Sequence, residues 1–151
     1  MLSSKESQNI LIHKTLKQFW GFDEFRSSQE KIILSVINGK DSLALLPTGG
    51  GKSLCYQLPA IILEGTCLVI SPLLALMRDQ LQSLQTLGIE AELLSSDLDE
   101  FEEETVYNRC KEGLTKVLFV SPERLQNQLF LRNIQEIHIS FMAVDEAHCI
   151  S

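Results

Sequence analysis

The sequence predicts an α/β fold in which a parallel sheet is flanked by helices and preceded by an N-terminal helical segment. From residue 39 onward, short apolar runs of strand length alternate with longer stretches of helical pattern. Two of the runs are followed at once by a Ser-Pro pair, and a third is followed within three residues by consecutive glycines; both are typical of the point where a strand passes into a helix. With 151 residues, of which 44% are apolar and 22% charged, the chain has ordinary globular composition and suffices for one core.

Residues 1–38 form the predicted helical segment. Apolar residues at helical spacing from Ile10 to Phe19 predict a first helix that ends at Trp20-Gly21. The serine-to-glutamate spacing of Ser27 and Glu30 resembles a capping box and predicts a second helix that begins near Ser27 and stops at Asn38-Gly39. Residues 39–151 are assigned to the α/β domain.

Four apolar runs in that domain are predicted strands, at 43–46, 66–70, 116–120 and 139–144, with 89–94 as a further candidate. Gly49 to Gly51 follow the first run, and Ser71-Pro72 and Ser121-Pro122 follow the second and the third. A serine that caps and a proline at the first helical position predict helix starts at both Ser-Pro pairs. These starts lie at the carboxyl edge of the sheet, where ligands of open parallel sheets bind.

Charge and cysteine content exclude some classes of protein. With 13 basic and 20 acidic side chains the net charge is −7, which excludes a polybasic coating protein but leaves room for a local nucleic-acid groove. The four cysteines form no CxxC pair, so we expect reduced thiols and no zinc site in this segment. No signal peptide or run of about 18 apolar residues is present, so we expect a soluble, cytoplasmic protein without a membrane partner.

An acidic cluster is predicted to lie on a solvated outer helix, with a docking patch as the alternative. Its carboxylates are Asp97, Asp99, Glu100, Glu102, Glu103 and Glu104. The predicted apolar contacts of that helix are Leu98, Phe101, Val106 and Tyr107.

Residues 46–53 fit the phosphate-loop pattern, except that Leu46 stands at the first glycine position. The loop residues are Thr48, Gly49, Gly50 and Gly51. The three glycines lack Cβ atoms, which lets successive backbone N–H groups converge on phosphate oxygens. Lys52 would place its charge on the β- and γ-phosphates, and the Ser53 hydroxyl would ligate Mg²⁺.

A pair of carboxylates ends the last predicted strand. Asp145 is predicted to hold Mg²⁺ through its water shell, while Glu146 reaches the attacking water. His148 lies near enough in sequence to couple the nucleotide state to neighbouring elements. Together with the phosphate loop, which supplies neither group, the pair predicts a magnesium-dependent nucleoside triphosphatase.

Several blocks of the sequence resemble the first RecA-like lobe of RecQ-family DNA helicases in superfamily 2. They are Gln29, PTGGGKSLCYQ at 47–57, SPLLALMRDQ at 71–80, SPERL at 121–125 and DEAHCIS at 145–151. The resemblance implies an incomplete RecA-like P-loop NTPase fold and 3′-to-5′ unwinding of DNA, driven by ATP with Mg²⁺, in recombination and repair. It also implies a second lobe that this chain does not contain and a cytoplasmic location at the bacterial nucleoid.

The same resemblance assigns an adenine-recognition motif to residues 20–29. The Gln29 carboxamide offers one donor and one acceptor, which match adenine and mismatch guanine. Phe22 would stack on the base, and Arg26 would support it. In related helicases, helix starts such as those at Ser71 and Ser121 hold the single-stranded DNA backbone, with Arg78 and Arg124 as candidate auxiliary contacts.

Three alternatives stay open beside the DNA helicase. They are an RNA helicase with the same Asp-Glu-Ala-His motif, a nucleotide-gated nucleic-acid-binding module without turnover, and a metal-dependent nuclease, which would need more clustered carboxylates. For the isolated 151 residues we expect weak nucleotide binding and no unwinding, because an arginine finger from a second lobe is typically worth about 10³ to 10⁵ in turnover.

Overall fold

The computed structural model describes residues 2–26, 28–44, 46 and 51–146. The chain separates into two compact units, residues 1–63 and 64–151. Our boundary between residues 38 and 39 follows the sequence motifs instead of the packing, and it stays a prediction.

The first unit contains three helices, α1 (Ser4–Trp20), α2 (Gln29–Ile37) and α3 (Leu54–Ile62). The predicted ends of the first two are confirmed, because α1 stops at Gly21 in the left-handed conformation and α2 stops at Asn38. Ser28 precedes α2 without a side-chain capping bond, and Ser27 lies outside the described residues. The buried apolar residues that join the helices are Ile12, Leu16, Ile33, Leu54 and Leu58.

The predicted strand at 43–46 is wrong for the residues that the structure describes. Leu43, Ala44 and Leu46 have no strand conformation, and Leu43 is 80% exposed. A strand exists only when a second strand pairs with it, and none of the described residues does so here. An apolar run of strand length was therefore not enough to predict a strand here.

The second unit is built on a fully parallel sheet of four strands in the order β2-β3-β1-β4. The strands are β1 (Thr66–Ile70), β2 (Ala91–Leu94), β3 (Val117–Val120) and β4 (Ile139–Val144). Helices α4 (Leu74–Thr86), α5 (Glu100–Lys111) and α6 (Gln128–Ile134) connect them, with a short 3-10 helix (Pro122–Gln126) before α6. The predicted α/β class and parallel sheet are confirmed.

The two central strands explain why this sheet forms. Every residue of β1 and of β3 is buried, as expected for a parallel strand covered on both faces. On one face the sheet packs against α5 and α6. The buried residues of that core are Leu68, Ile70, Leu94, Val106, Tyr107, Cys110, Leu118, Val120, Phe130 and Ile137.

The Ser-Pro pairs begin helices less directly than predicted. Ser71 is buried, and its N–H still donates to Val120 O, so the chain leaves the sheet only after Pro72 and α4 begins at Leu74 with Leu73 as its cap. Ser121 does stand at a cap position, but it opens a 3-10 helix and its side chain forms no capping bond. The α-helix that follows is capped by Asn127.

No helix among the described residues is both long enough and apolar enough to cross a bilayer.

Replacing Leu118 with Ala should lower the free energy of unfolding by about 2–5 kcal/mol, because a fully buried leucine leaves a cavity when truncated. Leu129→Ala is the matched control, since Leu129 is 49% exposed and its loss should cost under about 0.5 kcal/mol. Urea unfolding followed by circular dichroism measures both values. Equal losses in the two variants would contradict the assigned core.

Alkaline conditions should destabilise the second unit through Cys110. Burial raises the pKa of this thiol to about 11, above its ordinary value of 9.0. The neutral thiol is favoured in the folded state, so its contribution is complete below about pH 9 and is lost as the pH rises toward 11. Urea unfolding across this range should show that the free energy of unfolding falls less steeply with pH in Cys110→Ala than in the unsubstituted protein. Equal falls in the two proteins would refute the role of the buried Cys110 thiol.

Candidate functional site

Four polar residues line up at the carboxyl edge of the parallel sheet, each directly after a strand. In strand order they are Ser95, Ser121, Ser71 and Asp145. Two of them extend the backbone ladder, since Ser71 N donates to Val120 O at 3.1 Å and Asp145 N donates to Ile70 O at 2.9 Å. The sheet itself thus fixes the positions of three residues that the sequence analysis selected, together with Ser95, which it did not.

Asp145 and Glu146 occupy the turn that ends β4. Asp145 is half-buried, and its Oδ1 accepts a hydrogen bond from Glu146 N at 3.0 Å. Glu146 has a φ of 53°, an unusual value for a residue with a side chain, and such local strain is frequent at functional sites. The positive φ turns the chain sharply between the two carboxylates.

Gln80 is a contact of Asp145 that sequence reasoning missed. Its Nε2 lies 3.4 Å from Asp145 Oδ2, the long end of the hydrogen-bond range. Gln80 lies on α4, in the sequence block that starts at Ser71. Helix α4 follows β1, and β1 is the sheet neighbour of β4, which ends at Asp145. The position of this amide in the sequence could therefore have indicated the contact. The contact orients the carboxylate without neutralising its charge.

A groove of about 580 Å³ opens at the same edge of the sheet. Its lining residues are Pro72, Leu74, Met77, Leu94, Ser95, Ser96, Ser121, Glu123, Arg124 and Asn127. Hydrogen bonds from its own N–H and from the Ser121 hydroxyl lower the pKa of the exposed Glu123 carboxyl, which is therefore anionic at neutral pH. Arg124 is the one basic residue among these lining residues.

Arg124 is held by the protein itself. Its Nη1 donates to Glu103 Oε1 at 2.5 Å, and its Nη2 donates to the carbonyl oxygen of Ser95 at 3.0 Å. The side chains of Arg124 and Glu103 are only 13% and 15% exposed. Tyr107 donates its hydroxyl to the same Glu103 oxygen at 2.8 Å. Burial and this hydrogen bond raise the pKa of the Tyr107 phenol well above its usual value.

Arg78, the second predicted auxiliary contact, is exposed on α4. Its guanidinium forms an ion pair with Asp97 at 2.6 Å, and both side chains are at least half exposed. Exposed pairs of this kind contribute little to stability. The pair links α4 to the segment after β2.

The acidic helix differs from its prediction at two residues. Asp99 and Glu102 form a capping box at the start of α5, and the outer carboxylates are solvated as predicted. Glu103 instead faces inward to Arg124, and Phe101, predicted as an apolar contact, is 78% exposed. The helical period explains both, because Glu103, Val106 and Tyr107 share one face.

In the first unit, Gln29 links two parts of the predicted nucleotide site. It is 3% exposed, its Oε1 accepts from Arg26 N at 2.8 Å, and its Nε2 donates to Gly51 O at 3.1 Å. Arg26 is exposed, and Phe22 is 52% exposed. The structure thus brings Gln29 to the end of the phosphate loop, and adenine recognition by this residue stays a prediction.

The end of the phosphate loop passes directly into α3. Gly51 has a φ of 80°, and its carbonyl oxygen accepts from Leu54 N at 3.2 Å. Lys52 and Ser53 are half-buried and continue this turn, with Cys55 N bonded to Lys52 O at 3.0 Å. Thr48, Gly49 and Gly50 lie outside the described residues, as does His148.

The predicted joint site therefore falls into two parts. Gln29, Gly51, Lys52 and Ser53 belong to the first unit, and Asp145 and Glu146 belong to the second. The pairing of Lys52 with Asp145 around one triphosphate stays a prediction. Mg²⁺ is commonly bound by one or two carboxylates together with substrate phosphates, and the half-buried Asp145 carboxylate fits that role. No cluster of three or more His, Cys, Asp or Glu suited to a metal occurs in the described part of the chain.

Comparison with known families identifies the fold that carries these residues. Residues 26–151 match the model of the DEAD/DEAH box helicases. The chain belongs to the DEAD/DEAH box helicase family. For this helicase domain, the match spans Gln29, the phosphate loop and the carboxyl edge of the sheet, so the predicted incomplete RecA-like lobe is confirmed.

Individual relatives of this helicase domain are RecQ-type proteins. The chain is 46% identical to the ATP-dependent DNA helicase RecQ of Haemophilus influenzae over 99% of its length, and 47% identical to a probable ATP-dependent DNA helicase RecS of Bacillus subtilis over 93%. It is also 46% identical to the ATP-dependent DNA helicase Q-like 5 of Arabidopsis thaliana over 97%. The chain covers 24%, 28% and 16% of these three relatives. The resemblance to RecQ helicases is thereby confirmed.

Gly51→Ala tests the contact between Gln29 and the loop. A Cβ at this position would lie 2.2 Å from Gln29 Nε2. The positive φ lowers the free energy of unfolding of the alanine variant by about 1–2 kcal/mol more. Gly39→Ala is the matched control, since Gly39 has a φ of 74° with nothing within 4 Å of the added Cβ. Urea unfolding should show a larger loss for Gly51→Ala, and Gln29→Ala in the same chain should recover the excess. Equal losses in the two single variants would contradict the contact.

Proposed function

We propose that this chain is the N-terminal nucleotide-binding part of a longer ATP-dependent DNA helicase of the RecQ type. The protein would move 3′ to 5′ along DNA and serve recombination and repair in the cytoplasm, at the nucleoid. The observation that carries the proposal is the position of Asp145 and Glu146 at the carboxyl edge of a parallel sheet, in a chain that is 46% identical to a RecQ helicase. A second helicase lobe outside these 151 residues is part of the proposal.

Each part of the nucleotide site has a role that its chemistry suits. Lys52 would place a positive charge on the β- and γ-phosphates, and the Ser53 hydroxyl and the Asp145 carboxylate would hold Mg²⁺. Bound Mg²⁺ supplies positive charge that stabilises the developing negative charge of the triphosphate. Glu146 accepts a proton from the attacking water. Gln80 supports the orientation of Asp145.

The base and the phosphate loop are joined through Gln29 in this proposal. Phe22 and Arg26 are exposed and available for stacking, whereas the Gln29 carboxamide contacts Arg26 and Gly51. Adenine recognition by Gln29 would use the second N–H of Nε2 and the second lone pair of Oε1, or would exchange one of these protein partners for the base. Since Gly51 ends the phosphate loop, such an exchange would connect the occupancy of the base site to the loop.

Single-stranded DNA is the proposed nucleic-acid partner at the groove beside Ser71 and Ser121. The net charge of −7 and the ion pair of Arg124 favour binding of the DNA phosphates by backbone N–H groups over binding by basic side chains. Such contacts to phosphates do not depend on the base sequence. Binding that does not depend on the base sequence suits a helicase that must move along DNA of any sequence. The names of the relatives favour DNA over RNA, and the RNA helicase remains the second candidate because both share the Asp-Glu-Ala-His motif.

Lys52→Ala in the full-length protein should lower the ATPase rate by about 100-fold or more, since it removes the charge that the phosphates face. Lys14→Ala is the matched control because Lys14 is an exposed lysine of α1 in the same unit. Steady-state ATPase assays with single-stranded DNA or with RNA as the stimulating polymer measure both the rate and the preference. We expect stimulation by DNA.

Two outcomes would contradict the proposal. Stimulation by RNA in preference to DNA would favour the RNA helicase. Nucleotide-dependent DNA binding with no ATP turnover in the parent would favour the binding module without hydrolysis.

A further inference from the structure

Arg124 lines the groove, but two of its five N–H donors are bonded to acceptors within the protein. Of its guanidinium nitrogens, Nη1 is bonded to Glu103 and Nη2 to the Ser95 carbonyl oxygen, and the side chain is 13% exposed. An arginine that grips a phosphate typically presents two parallel N–H groups to it. Here both terminal nitrogens already have protein acceptors.

The contacts of Arg124 tie three elements together. Arg124 belongs to the 3-10 helix after β3, Glu103 to α5, and Ser95 to the end of β2. Tyr107, one turn after Glu103 on α5, donates to the same carboxylate oxygen that Arg124 uses. The carboxylate is therefore held from two sides, and the 3-10 helix cannot shift relative to α5 without breaking a charged hydrogen bond.

The 3-10 helix needs such support because it has little of its own. It is five residues long, none of its residues is buried, and Ser121 makes no capping bond. Short 3-10 helices have poorer hydrogen-bond geometry than α-helices. β3 places Ser121, and the position of the helix that follows it is consequently supported by side-chain contacts from outside the helix.

We propose that Arg124 is a positioning residue that does not itself contact a phosphate. It acts through Glu103 and Tyr107 to hold the 3-10 helix in place at the groove on the carboxyl edge of the sheet. The inference rests on the proposed function, since it concerns how the same edge binds single-stranded DNA. It gives Glu103, which sequence reasoning placed on a solvated surface, a role in that binding.

Glu103→Gln in the full-length protein separates positioning from direct contact. If Arg124 positions the helix, the loss of the carboxylate charge weakens single-stranded DNA binding by about tenfold, because a buried charged hydrogen bond is weakened. If Arg124 is a phosphate contact, the same variant releases the guanidinium, and DNA binding stays equal or becomes tighter. Glu104→Gln is the matched control, as Glu104 is the exposed neighbour on α5.

The salt dependence of binding gives a second readout that a loss of stability would not imitate. Removing one phosphate contact lowers the slope of log K against log salt by about 0.7 for a single strand. We expect Arg124→Ala to weaken binding with an unchanged slope, and the Arg124→Ala, Glu103→Gln double variant to bind as weakly as Arg124→Ala alone. A reduced slope in Arg124→Ala would overturn the proposal.

DNA-stimulated ATPase assays complete the test. The DNA concentration for half-maximal stimulation should rise about tenfold in Glu103→Gln, with the rate at saturating DNA within about twofold of the parent. Tyr107→Phe, which removes only a hydroxyl, serves if Glu103→Gln does not fold, and it should shift the half-maximal concentration in the same direction. No shift in a folded variant would overturn the inference. A parent that binds no single-stranded DNA would instead refute the proposed function.

Discussion

The parallel pairing of β1 with β3 and β4 is the constraint on which the second unit depends. Because these strands run in the same direction, their carboxyl ends meet at one edge, and the residues that follow them become neighbours although they lie far apart in sequence. The backbone bonds of Ser71 and Asp145 to the adjoining strands extend this order just beyond the sheet. Burial of every residue of the two central strands stabilises the pairing.

The parts of this arrangement that follow from local pattern could be predicted from the sequence. The bounds of β1 and β4 agree with the apolar runs at 66–70 and 139–144. For β1 the reason is burial on both faces, which makes a parallel strand a nearly continuous apolar segment. β4 has no buried residue, and Met142 and Val144 are more than half exposed, so its apolar run marks the strand but not a buried one. The end of α1 at Gly21 agrees as well, since the left-handed conformation there favours glycine. Asp145 and Glu146 were found from their place directly after such a strand.

What failed depends on tertiary contacts that no local pattern contains. The run at 43–46 has strand composition, yet the described residues provide no strand to pair with it. Ser71 has the sequence of a cap, but the sheet retains its backbone and displaces the helix start to Leu74. Glu103 belongs to an acidic run, and only the position of Arg124 across the fold shows that it faces inward. Each error is a case in which long-range packing overrides a local preference.

The contact between Gln29 and Gly51 also bears on how related sequences are compared. The space that a side chain at position 51 would need is filled by the amide of residue 29. Substitutions at the two positions are therefore expected to be correlated across homologues, even in a protein that has lost its preference for one nucleobase. The packing of the loop is by itself a physical reason for a glutamine to be conserved at position 29, whether or not this residue selects a base.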